Sequence, residues 1–156
     1  MTIKTVLIVD STHHHNTEKV ARAMAEVLNT IVKSPKDVTI EEVLTYDLIG
    51  FGSGIYSAKH ALSLLALADS LPPQASKKAF LFSTSAIVSK SKVVADHRAL
   101  RIKLQTKGFI LLDEFCCLGF NTNSFLKFFG GMNKGRPNGE DLQNAKRFAE
   151  TLKARF

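Results

Sequence analysis

The stretch VLIVDSTHHHNTEKVARAM, Val6 to Met24, joins two different periodicities across one short polar loop. An apolar, β-branched run ends at Asp10. With the residues before it, "IKTVLIV" (3–9) is continuous, as expected of a strand covered on both faces. A helical pattern starts near Thr17: "TEKVARAMAEVLNTI" (17–31) places Val20, Ala23, Met24, Val27 and Leu28 on one face. Thr17 is suited to cap that helix, and Glu18 falls in its first turn, where negative charge is favoured. A loop that runs from a strand into a helix start is a place for anions, because free N–H groups and a partial positive charge meet there.

The same alternation continues along the chain. "DVTI" (37–40) is a short strand candidate, and "YDLIGFGS" (46–53) is a third strand, with Tyr46 at its start and glycines at its end. "KHALSLLALADSL" (59–71) reads as a helix stopped by Pro72 and Pro73. "KKAFLFSTS" (77–85) is a fourth strand, and "SKVVADHRALRIKLQTKG" (91–108) is a long helix closed by Gly108. "FILLDEFCCLGF" (109–120) is a fifth strand, and a last helix lies in "NGEDLQNAKRFAETLKARF" (138–156), with Asn138 as its cap. Strands alternating with helices imply an α/β fold, a doubly wound five-stranded parallel sheet between two helical layers. No repeat or linker divides the 156 residues, so the expectation is one domain over 1–156.

Composition narrows the function. Apolar residues make up 45% and charged residues 22%, as in ordinary globular proteins. No apolar run is long enough to span a bilayer, and the apolar start is too short for a signal peptide. The expected location is cytoplasmic. Adjacent Cys116 and Cys117 close a disulfide only in a strained ring, so reduced thiols that end a strand are expected. The net charge of +7 is uneven: residues 1–70 carry 6 Lys/Arg and 8 Asp/Glu, whereas 71–156 carry 15 and 6. A basic half favours an anionic ligand or partner. The lysines are dispersed without interleaved aromatics, which does not support nucleic acid.

In open parallel sheets, ligands bind beyond the carboxyl ends of the strands, where the strand order reverses. Residues 11–17, 53–59, 83–91 and 117–123 follow the strands and are rich in Ser, Thr, Gly or Asn. In the first of these, Ser11, Thr12, Asn16 and Thr17 offer hydroxyls and an amide, which with the helix start cradle a phosphate. The nucleotide patterns GxxxxGK[ST] and GxGxxG are missing. His13, His14 and His15 admit three readings: part of the phosphate loop, a plain exposed loop, or a metal site. Consecutive residues rarely converge three rings on one metal, which favours the first. With no glycine in the turn, a histidine or Asn16 has to adopt positive φ, at a cost of about 1 kcal/mol or more.

These loops together resemble the flavodoxin family over nearly the whole chain. The family's "(S/T)xTGNT" loop corresponds to "DSTHHHNTE", its second loop to "GFGSGIYSAKH" and its third to "FSTSA". "GSGIYSAKH" and "CLGF…GGMNKGRPN" resemble the small flavodoxin-like proteins of bacteria and archaea. The first of these segments also resembles the menaquinone-dependent protoporphyrinogen oxidases. The resemblance implies a short-chain flavodoxin-like protein of strand order 2-1-3-4-5 that binds FMN. It implies that Ser11 to Thr17, all three histidines included, wrap the phosphate. Ser53, Gly54, Ile55 and Tyr56 then form the second loop, with Gly54 as the place of a peptide flip and Tyr56 stacked on the flavin. Ser83, Thr84 and Ser85 meet the pyrimidine edge, and Gly119, Phe120 and Asn121 border it. His60 reads as exposed at a helix start, and His97 as solvated helix surface.

An FMN protein that carries electrons makes no covalent bonds and needs no nucleophile, and no nucleophile elbow, zinc helix or kinase signature is present. The alternative is an FMN-dependent oxidoreductase with a small substrate such as a quinone or protoporphyrinogen. Lys59, Lys90, Lys92, Lys127, Lys134 and Arg136 are expected on a basic rim, suited to redox partners with an acidic face. The long segment 121–139, with Phe125, Phe128 and Phe129, is suited to a substrate wall or a homodimer contact.

Overall fold

The computed structural model describes residues 3–12, 14–120 and 131–155. The first strand, β1 (Thr5–Asp10), leads into α1 (Asn16–Leu28) and then β2 (Ile31–Lys33). A short 3-10 turn (Pro35–Asp37) and α2 (Ile40–Val43) precede β3 (Leu48–Tyr56), which turns back on itself as β4 (Lys59–His60). After these come α3 (Leu62–Ser70), β5 (Lys78–Ser85), α4 (Lys90–Thr106), β6 (Ile110–Leu118) and α5 (Gly139–Lys153). The parallel path runs β2-β1-β3-β5-β6, with β4 paired antiparallel to β3 off that path. Apart from the two-residue β4, this is the expected order 2-1-3-4-5.

Two apolar layers hold the sheet. On one face Ile8, Ile49, Phe51 and Leu81 meet Leu64 and Ala68 of α3 and Leu100 and Leu104 of α4. On the other, Leu7, Leu48, Phe80 and Phe82 meet Val20 and Met24 of α1 and Ala145 and Ala149 of α5. Burial on both faces explains why the central strands read as unbroken apolar runs. The glycines of β3 make room for this packing. A Cβ on Gly50 would lie 2.5 Å from the ring of Phe80, and one on Gly52 would lie 2.2 Å from that of Phe82. Each glycine stands beside its phenylalanine in the β3–β5 register. Large residues on one strand thus require small ones on the next.

Three expected elements are corrected. The second strand is Ile31–Lys33, not 37–40. Asn29 adopts a left-handed conformation (φ 51°) and stops α1, so Ile31 is released into the sheet. Pro35 then begins a turn, and the Thr39 hydroxyl accepts the Glu42 N–H, which draws Ile40 into a helix start. Lys59 and His60 pair with Tyr56 and Ile55 as β4, so α3 begins only at Leu62. The expected cap of the first helix also differs. Thr17 lies inside α1, His15 stands at the cap position, and the Ser11 hydroxyl accepts the Glu18 N–H at 3.1 Å. At α5 the expected cap holds: Asn138 and Asp141 form a reciprocal capping box. Tyr46 lies just before β3, buried, with Lys4 5.0 Å from its ring centre. No helix among the described residues is long and apolar enough to cross a membrane.

Candidate functional site

A pocket opens at the carboxyl ends of β1, β3, β5 and β6, where the chain departs from β1 to opposite sides. The first loop contributes Ser11, Thr12, Asn16 and Thr17; the β3–β4 hairpin contributes Gly54, Ile55 and Tyr56. Thr84, Ser85 and Ala86 line it from β5, and Gly119 and Phe120 from the end of β6. Eleven of the expected site residues are therefore brought together. Ala86, the last residue of the matched "FSTSA" loop, joins them, although it was not among the expected site residues.

The pocket is knit across loops. Asn16 donates Nδ2–H to the Phe120 carbonyl at 2.8 Å, which ties the first loop to the last. Its Oδ1 is buried and has no partner among the described residues. The Thr17 and Thr84 hydroxyls share a hydrogen bond of 2.9 Å beneath the floor. The Tyr56 hydroxyl bonds that of Thr12 at 2.9 Å, so its ring crosses the mouth and lies over Gly54. The lining offers hydroxyls and amides and contains no carboxylate.

Other expected residues stand elsewhere. His14 and His15 both hold φ of 53°, the left-handed conformation that the missing glycine requires. The His14 ring packs 4.3 Å from that of Phe120, at the edge of the pocket. The His15 ring is exposed and faces Glu18 at 3.0 Å, away from the lining. A hydrogen bond from Arg22 holds the Glu18 carboxyl below its ordinary value. Gly54 is not a turn residue: it lies in β3, paired with Thr84, and the turn falls at Ser57 and Ala58, with φ of 51° and 60°. Ser53 and Ser83 are buried beneath the lining. The Ser53 hydroxyl accepts the Ala61 N–H and donates to the Gly54 carbonyl, fixing the hairpin stem. Of the basic rim, Lys92 is paired with Asp96, and Arg136 is paired with Asp141 at 2.5 and 2.6 Å. His13, Asn121, Lys127 and the three phenylalanines of 121–130 lie outside the described residues, as does most of the expected dimer loop.

Two histidines read as surface are buried. His97 is fully enclosed, with Nε2 2.7 Å from Ser83 Oγ and Nδ1 3.1 Å from Glu114 Oε1. His60 packs 4.6 Å from it, with Nε2 3.1 Å from the Phe82 carbonyl. Burial lowers the His60 pKa to about 3, helped by the neighbouring His97. Burial pushes the Glu114 carboxyl up, but hydrogen bonds from His97 and Arg101 outweigh it and hold the group below its ordinary value. One sequence signal was available. His97 and Arg101 are four apart on one helical face, and Glu114 interrupts an apolar strand. Burial also raises the thiols of Cys116 and Cys117, which makes both poor nucleophiles.

Comparison with known proteins fits this geometry. The chain is 42% identical over 150 residues to the uncharacterized protein MJ0298 of Methanocaldococcus jannaschii, covering 96% of this chain and 98% of that one. The chain belongs to the family of that archaeal protein. Its fold is flavodoxin-like. Oxidised flavodoxin 2 from Bacillus cereus superposes with a TM-score of 0.74 at 17% identity, covering 98% of this chain and 99% of that one. A flavodoxin from the domain Archaea gives 0.67 at 19% identity, over 94% of each chain. An NADH:FMN oxidoreductase gives 0.61 at 20%, over 96% of this chain and 89% of that one. No family model matches the chain.

Proposed function

We propose that this single-domain, cytoplasmic protein binds FMN in the pocket and carries electrons between partner proteins. The observation that carries the reading is the composition of the lining: hydroxyls, an orphaned amide oxygen and a helix start, with no carboxylate, at the switch point of the sheet. That donor set fits a phosphorylated, polyhydroxyl cofactor. The Ser11–Thr17 loop and the start of α1 hold the phosphate. Asn16 Oδ1 can only accept, so it takes a hydroxyl of the sugar-alcohol chain and not a phosphate oxygen. Tyr56 supplies an aromatic wall, and Thr84, Ser85 and Gly119 close the polar side. Bound FMN would supply the electron chemistry, and the chain binds, orients and shields it.

Acyl transfer is a poor fit despite the Ser83–His97–Glu114 alignment, because Ser83 is fully buried and no reacting carbonyl can reach it. A substrate-oxidising role shares the same pocket. Turnover of a quinone or protoporphyrinogen by the flavin-loaded protein, without a protein acceptor, would favour that role over a carrier.

The reading is tested by titrating FMN and riboflavin, which lacks the phosphate. Thr12→Asp places a carboxylate in the phosphate loop and is expected to weaken FMN at least tenfold more than riboflavin. Asn16→Ala is expected to weaken both alike. A wild-type protein that binds neither compound overturns the proposal, and equal weakening by Thr12→Asp overturns the placement of the phosphate.

A further inference from the structure

Behind the pocket wall lies a polar cluster that electron carriage alone does not use. Along β5, the residues facing α3 and α4 change from Ala79 and Leu81 to Ser83 and Ser85. Beside Ser83 three polar side chains gather: His97 from α4, Glu114 from β6 and His60 from β4. Arg101 binds both Glu114 oxygens, at 2.8 and 2.9 Å. His60 pairs with the pocket residue Ile55 across the hairpin, and Ser83 directly precedes Thr84 and Ser85 of the lining. The cluster is therefore one residue removed from the pocket lining.

The protons can be placed. A carbonyl only accepts, so His60 Nε2 carries the hydrogen that meets Phe82. His60 Nδ1 is then a bare basic nitrogen, buried, with no partner among the described residues. Leaving such a group unsatisfied costs about 1–3 kcal/mol. The charged and titratable groups that act on it are His97 and Arg101 on α4 and Glu114 on β6; Lys92 and Asp96 on α4 stand by Ser85 and Cys116, next along β5 and β6. Lys92 pairs with Asp96, and Arg101 with Glu114, so the cations and anions offset one another.

We propose that His60 is the proton acceptor of the redox site, with His97, Ser83 and Glu114 as the residues that position it. This rests on the FMN reading above. An electron from the donor protein adds negative charge to the pocket, and a proton from water binds at His60 Nδ1. One N–H bond forms as one O–H bond of a solvent hydronium breaks, and both changes reverse when the electron leaves. Burial and the His97 ring keep the nitrogen unprotonated beforehand, and a new negative charge nearby in a low-dielectric interior raises its affinity for a proton.

The test uses the flavin-loaded protein, photoreduced between pH 4 and 8. The midpoint potential is expected to rise more steeply with falling pH in the wild type than in His60→Gln. Glutamine keeps a donor for the Phe82 carbonyl but has no second ring nitrogen. Protonation of the cofactor itself contributes to both proteins and drops out of the difference. Nitrogen-15 NMR of the wild-type His60 ring, which needs no variant, is expected to show Nδ1 protonated at a higher pH in the reduced than in the oxidised protein. Equal slopes with an unchanged ring overturn the proposal while leaving FMN binding intact. Failure to bind flavin overturns both.

Discussion

Keeping the His60 ring neutral has a consequence for stability that pH reveals. Its pKa is about 3 when folded, against about 6.5 in the unfolded chain. Between these values the unfolded chain takes up a proton that the native protein refuses. Its contribution is therefore complete above about pH 6.5 and is lost as pH falls, by about 1.4 kcal/mol per unit. Urea unfolding of the cofactor-free protein is expected to show a falling midpoint from pH 7 to pH 5, above the range in which Glu114 and Asp141 titrate. His60→Phe should flatten that fall, and an unchanged slope would show that the ring is not the source. At this scale the sequence is unevenly legible. The left-handed turn at His14 and His15 follows from a missing glycine, a local matter. The burial of His60 and His97 does not follow locally, because the groups that enclose them come from β5 and β6. Periodicity within one element cannot report partners brought by others.

Element boundaries follow the same physics. The α5 cap was legible because its chemistry is local: Asn138 accepts the Asp141 N–H at 2.9 Å, and Asp141 accepts the Asn138 N–H at 2.8 Å. Arg136 adds to it by gripping Asp141, whose carboxyl its hydrogen bonds hold below the ordinary value. Asn138→Ala is expected to lower stability by about 1 kcal/mol, measured as a shift in urea midpoint with unchanged slope. No shift would mean that Arg136 and Asp141 suffice to start the helix. The second strand was not legible for the opposite reason. Ile31–Lys33 is three residues long and is selected by pairing with β1, whereas 37–40 has the better strand composition and no partner. The β3–β4 turn at Ser57 and Ala58 was missed because neither residue signals positive φ.

Across the whole molecule, the excess of positive charge lies in the second half of the chain, and Lys90 and Lys134 of the expected rim belong to it, joined by Lys59 from the first half. Lys59 on the hairpin, Lys90 at the start of α4 and Lys134 beside Asn133 are exposed. Asn133 in turn donates to the Ala86 carbonyl at the pocket, at 2.7 Å. Lys92 and Arg136 are committed to ion pairs, so among the described residues of the expected rim the exposed, unpaired charge is that of Lys59, Lys90 and Lys134. Charge reversal at Lys59, Lys90 and Lys134 is expected to slow electron transfer to acidic acceptors in stopped-flow, with little change in FMN affinity. Added salt should slow the wild type as well, because exposed charges are screened beyond about 8–10 Å at physiological ionic strength. Rates that respond to neither change would assign these lysines to a solvated surface only. The order of the sheet was legible from the alternation of strands and helices, since right-handed crossovers leave few alternatives.

That order also leaves two borders of very different length. At one, β2 offers only three residues; at the other, β6 offers nine. A long open border is a template on which a second chain can add a strand and seed aggregation. Here the Arg155 guanidinium is bonded to the Leu112 carbonyl at 2.7 Å and lies 4.0 Å from the Asp113 carboxylate, so charge occupies one of the acceptors of that border. Among the described residues, the same strand that helps to seat a buried histidine thus has one of its backbone acceptors taken by a charged side chain, an acceptor that an added strand could not use.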